Sequence, residues 1–534
     1  MNFINLIRQP DDVKVKTEKS PFRFEEPNTL NPTDCRVDFV EENGSMKVIA
    51  NPSKDAVEGI RIRFSGEFYG ANKKEHISIL GDCLERSYWT DLIWKSFSPH
   101  DLMPWFFYMY NGEVLHSYGV KTGCNTFAYW QCDPYGITLW LDLRNGADGI
   151  VLDEPLLCAE IVCREGNDGE IPFDAARDFC KMMCPKPNLP QMPVYGFNNW
   201  YWAYGDIDEK TVLKEAEYVS SLTSSLEVRP FMVIDDGWQL PHTVGFNGGP
   251  WDLSNERFSH MAEVSGKINQ AGCQSGIWFR PLLTMGHIPD GAEYKTQKGR
   301  PGSGLYLDAS HPYTLEKVAK DVRMLNNWGY KLIKHDFSSY DILTMSLNGA
   351  GHFYDRTKTT AQIIKNLYKT IQDNANDSLV IGCNTMSHLA AGIHQIQRVG
   401  SDTNGHNFEF TRRYGVHSMM RFPLNNAFYS VDCDCAACTD EVSIDLNLDF
   451  LKATAMCGGA TFASVKPNIL KPNEEKKLSE ILSIAANVKE ENHAKILDWH
   501  TTSNPSVFAY CGEEYRFNWY REHFGARTNA DGER

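Results

Sequence analysis

The chain has 534 residues, 42% of them hydrophobic and 23% charged, with a net charge of −16. That length exceeds one ordinary domain, and the composition is that of a folded protein rather than a disordered one. The acidic balance, with no basic block, excludes a nucleic-acid binder, and no apolar run is long enough to span a membrane.

The first ten residues, MNFINLIRQP, show no charged segment followed by a long apolar run, so no secretory signal is expected. Fifteen cysteines in no repeating framework point to a reducing compartment, with the cytoplasm as default. Residues 1–185 read as mostly β, a sandwich-like N-terminal domain. Gly59–Phe64 alternates in polarity, Ile137–Leu143 does so in part, and Asn43-Gly44, Asn111-Gly112 and Asn145-Gly146 are hairpin-turn signals. The proline-spaced run Pro185–Pro190 reads as a linker.

From about residue 193, strand-like runs alternate with helical stretches, the rhythm of a parallel α/β domain. Eight strands are expected to begin near Val194, Val228, Gly276, Lys331, Leu379, Ile396, Arg421 and Ala460. Helical segments lie at 209–221, 255–271, 314–328 and 356–374. This count predicts a (β/α)8 TIM barrel over 186–475. Residues 476–534 then form one more helix and a partial β segment, Val507 to Tyr520, too short for a full β domain.

Sites on such barrels form at the C-terminal strand ends, and polar residues gather there. Strand one runs into Asn198-Asn199-Trp200, strand two into Asp235-Asp236-Gly237-Trp238, and strand three into Trp278-Phe279-Arg280. Strand four gives Lys334-His335-Asp336, strand five Cys383-Asn384, and strand six Arg398 to Asp402.

Val233–Gln239, Asn247–Trp251, Gly276–Pro281, Leu332–Phe337 and Arg398–Asp402 together resemble the motifs of glycoside hydrolase family 36 α-galactosidases. The likeness covers roughly 194–465. It implies a retaining α-galactosidase with Asp336 as nucleophile and Asp402 as acid/base, and with Asp235 and Asp236 on the sugar's 4- and 6-hydroxyls. Retaining chemistry needs two carboxyl groups about 5–5.5 Å apart. Lys334 shares a strand face with Asp336 and would keep it ionised, or is simply a paired charge at the barrel mouth. The acid/base is expected to carry a raised pKa.

Trp200 and Trp238 are either platforms for the sugar ring or core packing. Arg280 and Arg398 are candidate hydroxyl donors or carboxylate holders, and Cys383 lines the pocket or fills space. Asp432 and Asp434 are weaker candidates from strand seven. Cys433, Cys435 and Cys438 lack the partner pair that zinc needs, so no metal is expected. Nucleotide, serine-hydrolase and zincin motifs are missing, and no cofactor is expected. The expected partner is a small oligosaccharide or glycoside, with no nucleic acid and no membrane. Rival readings are an α-N-acetylgalactosaminidase, a raffinose-synthase-like transglycosylase, a Schiff-base lyase using Lys334, and a non-catalytic sugar-binding barrel.

Overall fold

Alternation of buried aliphatic and outward polar residues shapes the N-terminal region. In Ser53–Ser65, Val57, Ile60, Ile62 and Phe64 are buried while Arg61 and Arg63 face the other side. This strand is the axis of a six-stranded antiparallel sheet, flanked by Asp12–Thr17 and Gly136–Asp142. A second, seven-stranded antiparallel sheet carries Leu156–Arg164, Leu115–Val120, Phe106–Tyr110 and Ser78–Gly81 in adjacent positions. The structure, a computed structural model, describes residues 1–19, 33–69, 76–96, 98–240, 242–243, 245–294, 304–347 and 351–520. Residues 521–534 of the expected C-terminal segment lie outside the described residues.

Two Asn-Gly signals make the expected hairpins. Asn43 (φ 51°) and Gly44 (φ 73°) form a two-residue turn between Val37–Glu42 and Ser45–Ala50, and Asn111-Gly112 joins the next hairpin pair. The third does different work. The Asn145 side chain donates to the carbonyls of Asp355 and Lys358, tying the N-terminal region to the α/β part.

That part is a curled, TIM-like parallel sheet of nine strands. They are β1 (Tyr195–Asn198), β2 (Phe231–Ile234), β3 (Gln274–Phe279), β4 (Leu332–His335), β5 (Leu379–Gly382), β6 (Ile396–Arg398), β7 (Ser430–Asp432), β8 (Ala436–Cys438) and β9 (Thr461–Val465). Their order is β7-β6-β5-β4-β3-β2-β1-β9-β8. Asp432 of β7 also bridges Ala460, the residue before β9, so the two sides of the sheet meet. β7 and β8 are halves of one run, broken where Asp434 takes a φ of 77°.

Helices Glu209–Leu222, Met261–Gln270, Pro312–Asn327 and Thr360–Asn374 lie where the sequence expects them. The seventh strand does not. Met419–Leu424 is a 3-10 helix containing Pro423, and the strand begins at Ser430. Proline cannot donate to a ladder, and buried Met419, Met420, Phe422 and Leu424 surround a turn rather than alternating. The expected boundary at 475 falls within the helix Pro472–Asn487, and Val507–Tyr510 pairs with Glu513–Arg516 as a hairpin. No described helix is long and apolar enough to cross a membrane.

Two apolar clusters fill the molecule. The larger runs continuously from Ile4 to Trp519 and joins the N-terminal sheets to the outer faces of the parallel strands. The smaller contains Phe231, Val233, Leu332, Ile381, Ile396, Cys435 and Phe462 and fills the inside of the curled sheet.

Candidate active site

The inner cluster sets the phase of every strand. Residues two apart share a face, so Phe231 and Val233 lead to Asp235, and Leu332 leads to Lys334 and Asp336. Ile381 leads likewise to Cys383, and Ile396 to Arg398. These side chains, with Asp236, Trp200 and Asp402, open on one cavity of about 680 Å³. His335, one residue out of phase, points away and packs against Tyr368 and His394; burial pushes its imidazole down to about 3.

At one side of the cavity, Asp235 accepts from Asn198 Nδ2 at 2.6 Å and from Lys334 Nζ at 2.7 Å. Burial works against the charge of Lys334, but Asp235, Cys383 and Asp336 together outweigh it and hold the ammonium well above its ordinary pKa. Lys334 therefore pairs with Asp235 rather than with Asp336. Asp236 accepts from Gln239 Nε2 at 2.7 Å and Asn247 Nδ2 at 3.1 Å, and burial raises its carboxyl.

Asp336 follows directly after β4. Its Oδ2 accepts from Trp278 Nε1 at 2.9 Å, and its Oδ1 from the Phe337 amide at 2.7 Å. Phe337 itself sits at φ 64°, a costly conformation for a bulky residue, and the Arg280 guanidinium lies 4.2 Å from its ring centroid. Arg280 does not line the cavity. It is 7% exposed, paired with the fully buried Asp341, and donates to Asn247 Oδ1 at 2.6 Å. It lies beyond the end of β3, where alternation no longer fixes direction, and Trp278, one turn of the pleat earlier, is the residue that reaches the cavity.

Asp402 lies beyond β6. Its Oδ1 is 3.0 Å from Arg398 Nη2 and 2.7 Å from Arg86 Nη1, and 57% of its side chain is open to the cavity. Burial of its surroundings raises the carboxyl, but Arg86, Arg398 and Lys334 together outweigh it and hold the pKa below the usual value. The expected raised pKa is thus reversed, because three cations converge on this carboxylate.

Arg398 is anchored from behind by Asp434, which accepts from Arg398 Nη2, the Tyr201 hydroxyl and the Thr403 amide. The broken strand β7–β8 aims Asp434 there. Trp238 is fully buried, donates from Nε1 to the Trp278 carbonyl at 3.0 Å and packs at an angle against Trp251 and edge-on against Trp328. It is core packing, not a sugar platform, since the turn at Gly237 directs it away from the cavity. Cys383 lines the cavity, and burial pushes its thiol far up.

Trp278, Tyr201 and Asn384 at the strand ends and Asn247 in its motif were given no role from the sequence, and Arg86 was not singled out at all, yet all five line the cavity. The inward phase of β3 could have singled out Trp278. Arg86 left no local signal, because it arrives from the N-terminal region. Cys433 and Cys438 face the outer core while Cys435 faces inward, so the three thiols do not converge. Among the described residues, no group of three or more His, Cys, Asp or Glu is placed to hold a metal.

No family model matches the chain, and no curated protein matches it by sequence. Solved structures share its fold. TtGalA, an α-galactosidase from Thermus thermophilus in complex with p-nitrophenyl α-D-galactopyranoside, aligns with TM-score 0.63 and 18% identity, over 90% of this chain and 96% of that one. AgaA, a GH36 α-galactosidase from Geobacillus stearothermophilus, aligns with TM-score 0.59 and 11% identity over 90% and 76%. The galactosidase domain of the α-galactosidase-sucrose kinase AgaSK aligns with TM-score 0.57 and 14% identity over 94% and 76%.

Proposed function

We propose that this chain is a retaining α-galactosidase of the glycoside hydrolase family 36 type, releasing terminal α-linked galactose from a small oligosaccharide or glycoside. The fold is assigned as a (β/α)8 barrel over 186–475, an N-terminal β-sandwich over 1–185 and a C-terminal extension over 476–534. The observation that carries the reading is the convergence of Asp336 and Asp402 on one cavity with the Asp235–Lys334 pair and Asp236. The solved α-galactosidases of the same fold, one holding an aryl galactoside, support it. Fifteen free thiols, fourteen of them wholly or partly buried, accord with action in the cytoplasm.

The chemistry follows from the geometry. Asp235 and Asp236 accept from adjacent sugar hydroxyls, Lys334 donates to one, and Trp200 offers a flat apolar face. Trp278 and the Phe337 amide hold the Asp336 carboxylate still for attack on the anomeric carbon. The carbon–oxygen bond to the leaving group breaks, its electron pair leaves with that oxygen, and Asp402 supplies the proton. Water, deprotonated by Asp402, then releases the sugar from Asp336 with its configuration retained.

A Schiff base at Lys334 needs a neutral amine, and the 2.7 Å contact with Asp235 keeps it charged. A panel of nitrophenyl α-glycosides tests the reading. The α-galactoside should be cleaved first, and Asp336→Ala should lower turnover at least about a thousandfold. Cleavage only of the α-N-acetylgalactosaminide, or transfer to an added sugar in preference to water, would reassign the activity on the same scaffold. Full activity in Asp336→Ala ends the proposal.

A further inference from the structure

Residues 82–92 leave the N-terminal sheet and cross the rim of the parallel one, and their path is tightly fixed. Asp82 Oδ1 lies 2.9 Å from Arg421 Nε in an ion pair with both side chains at most 3% exposed. Arg421 also donates to the Glu85 carbonyl at 2.8 Å. The Ser87 amide donates to the Val399 carbonyl at 2.8 Å, and the Ser87 carbonyl accepts from the Ser401 amide at 3.0 Å, a parallel bridge onto the residues after β6. The Leu92 amide donates to His417 Nε2. These anchors leave Arg86 with 11% of its side chain exposed and Nη1 2.7 Å from Asp402 Oδ1.

Three cations face Asp402, and their charges are not equally available to it. Lys334, from β4, is committed to Asp235 at 2.7 Å. Arg398, from β6, is committed to Asp434, with both side chains 2% exposed. Arg86 has Glu85 as its other acidic neighbour, at 3.4 Å from Nε, and Glu85 in turn accepts from Asn384 Nδ2. Tyr201 and Tyr204, from the short helical segment Trp200–Ala203 and its cap after β1, and Tyr88 from the crossing segment also face the carboxylate. Arg86 is therefore the least compensated of the three cations.

We propose that Arg86 is a positioning residue for Asp402: it holds the carboxyl in place on the leaving-group side and sets the pH above which the site loses its general acid. This rests on Asp402 being the acid/base. The effect has two faces. A guanidinium beside Asp402 stabilises its conjugate base, which favours proton transfer to the departing oxygen, yet it also reduces the protonated fraction as pH rises. A leaving group that needs no proton escapes the second effect.

The test compares pH profiles of kcat/KM for wild type, Arg86→Leu and Arg86→Lys, on a galactosyl-sugar and on 2,4-dinitrophenyl α-galactoside. Arg86→Leu removes the lowering charge, so its basic limb on the galactosyl-sugar should move up by about one pH unit. Arg86→Lys should restore the limb most of the way, and the dinitrophenyl substrate should show little movement in either variant. A basic limb that persists in Asp402→Asn overturns the acid/base reading instead. A second measurement does not depend on turnover. With ¹³Cγ-labelled aspartate, the Asp402 resonance, identified by its loss in Asp402→Asn, should titrate at higher pH in Arg86→Leu than in wild type. Equal midpoints overturn the proposal.

Discussion

Arg398 and Asp434 are each 2% exposed, and Asp434, which does not line the cavity, is the sharpest instance of how a cavity side chain depends on a residue behind it. Removing one partner of a buried pair leaves an uncompensated charge, at a cost of about 3–5 kcal/mol. Asp434→Ala should therefore lower the Tm by several degrees and loosen Arg398, and thermal unfolding with a parallel kcat measurement checks both. Glu215 makes a different case. Burial raises its carboxyl to about 8 despite the hydrogen bond from Trp202 Nε1 at 2.7 Å. Between its ordinary 4.5 and about 8 the folded chain binds a proton that the unfolded chain releases, so stability falls as pH rises across that window. Glu215→Gln should flatten that fall, by up to about 1.4 kcal/mol per pH unit, in urea midpoints taken at pH 5 and pH 8. Lys334 and Asp336 were legible as site residues because both continue an apolar strand in its inward phase. Arg86 was not, since its contact with Asp402 spans 316 positions of chain. For Arg280 and Trp238 the sequence left two readings open, and the structure matches the carboxylate holder and the core residue, because a strand's phase lapses once the strand ends.

The strands tolerate little at their crossing points. Gly196 in β1 has φ 149°, and a Cβ there would lie 2.0 Å from the Phe231 carbonyl oxygen of β2. Gly196→Ala should cost about 3 kcal/mol or more, read as a lower denaturation midpoint or as insoluble expression. Seven of the eight expected parallel strands were legible from short apolar runs ending in polar residues. The exception, placed at Arg421, was an apolar run with the right composition and the wrong period. What reads as a strand there is a buried 3-10 turn, and its arginine serves the N-terminal region through Asp82. The break of the true strand at Asp434 was hidden for a related reason. Left-handed backbone at a non-glycine residue is imposed by tertiary contacts and leaves no trace in composition.

At the scale of the whole molecule, one apolar cluster runs from Ile4 to Trp519, and the buried Asp82–Arg421 pair crosses it. Calorimetry should show a single cooperative transition rather than separate melts for the N-terminal and α/β regions. Asp82→Ala should lower that transition as a whole, again by about 3–5 kcal/mol, because Arg421 would be left buried without its partner. Two melts, the lower one alone shifted, would show the regions to be thermally independent.

Because residues of the 82–92 segment furnish one wall of the cavity, the N-terminal region and the parallel sheet are not independent modules, and exchanging one changes the cavity of the other. A chimaera that grafts the N-terminal region of another protein of this fold onto this parallel sheet would bring a foreign wall to the cavity beside Asp402. It would keep the Asp235, Asp236 and Lys334 cluster while altering the Asp402 side of the cavity. Variation in the N-terminal sheets, far from Asp336 in sequence, is then a route by which the cavity can be reshaped without touching Asp336.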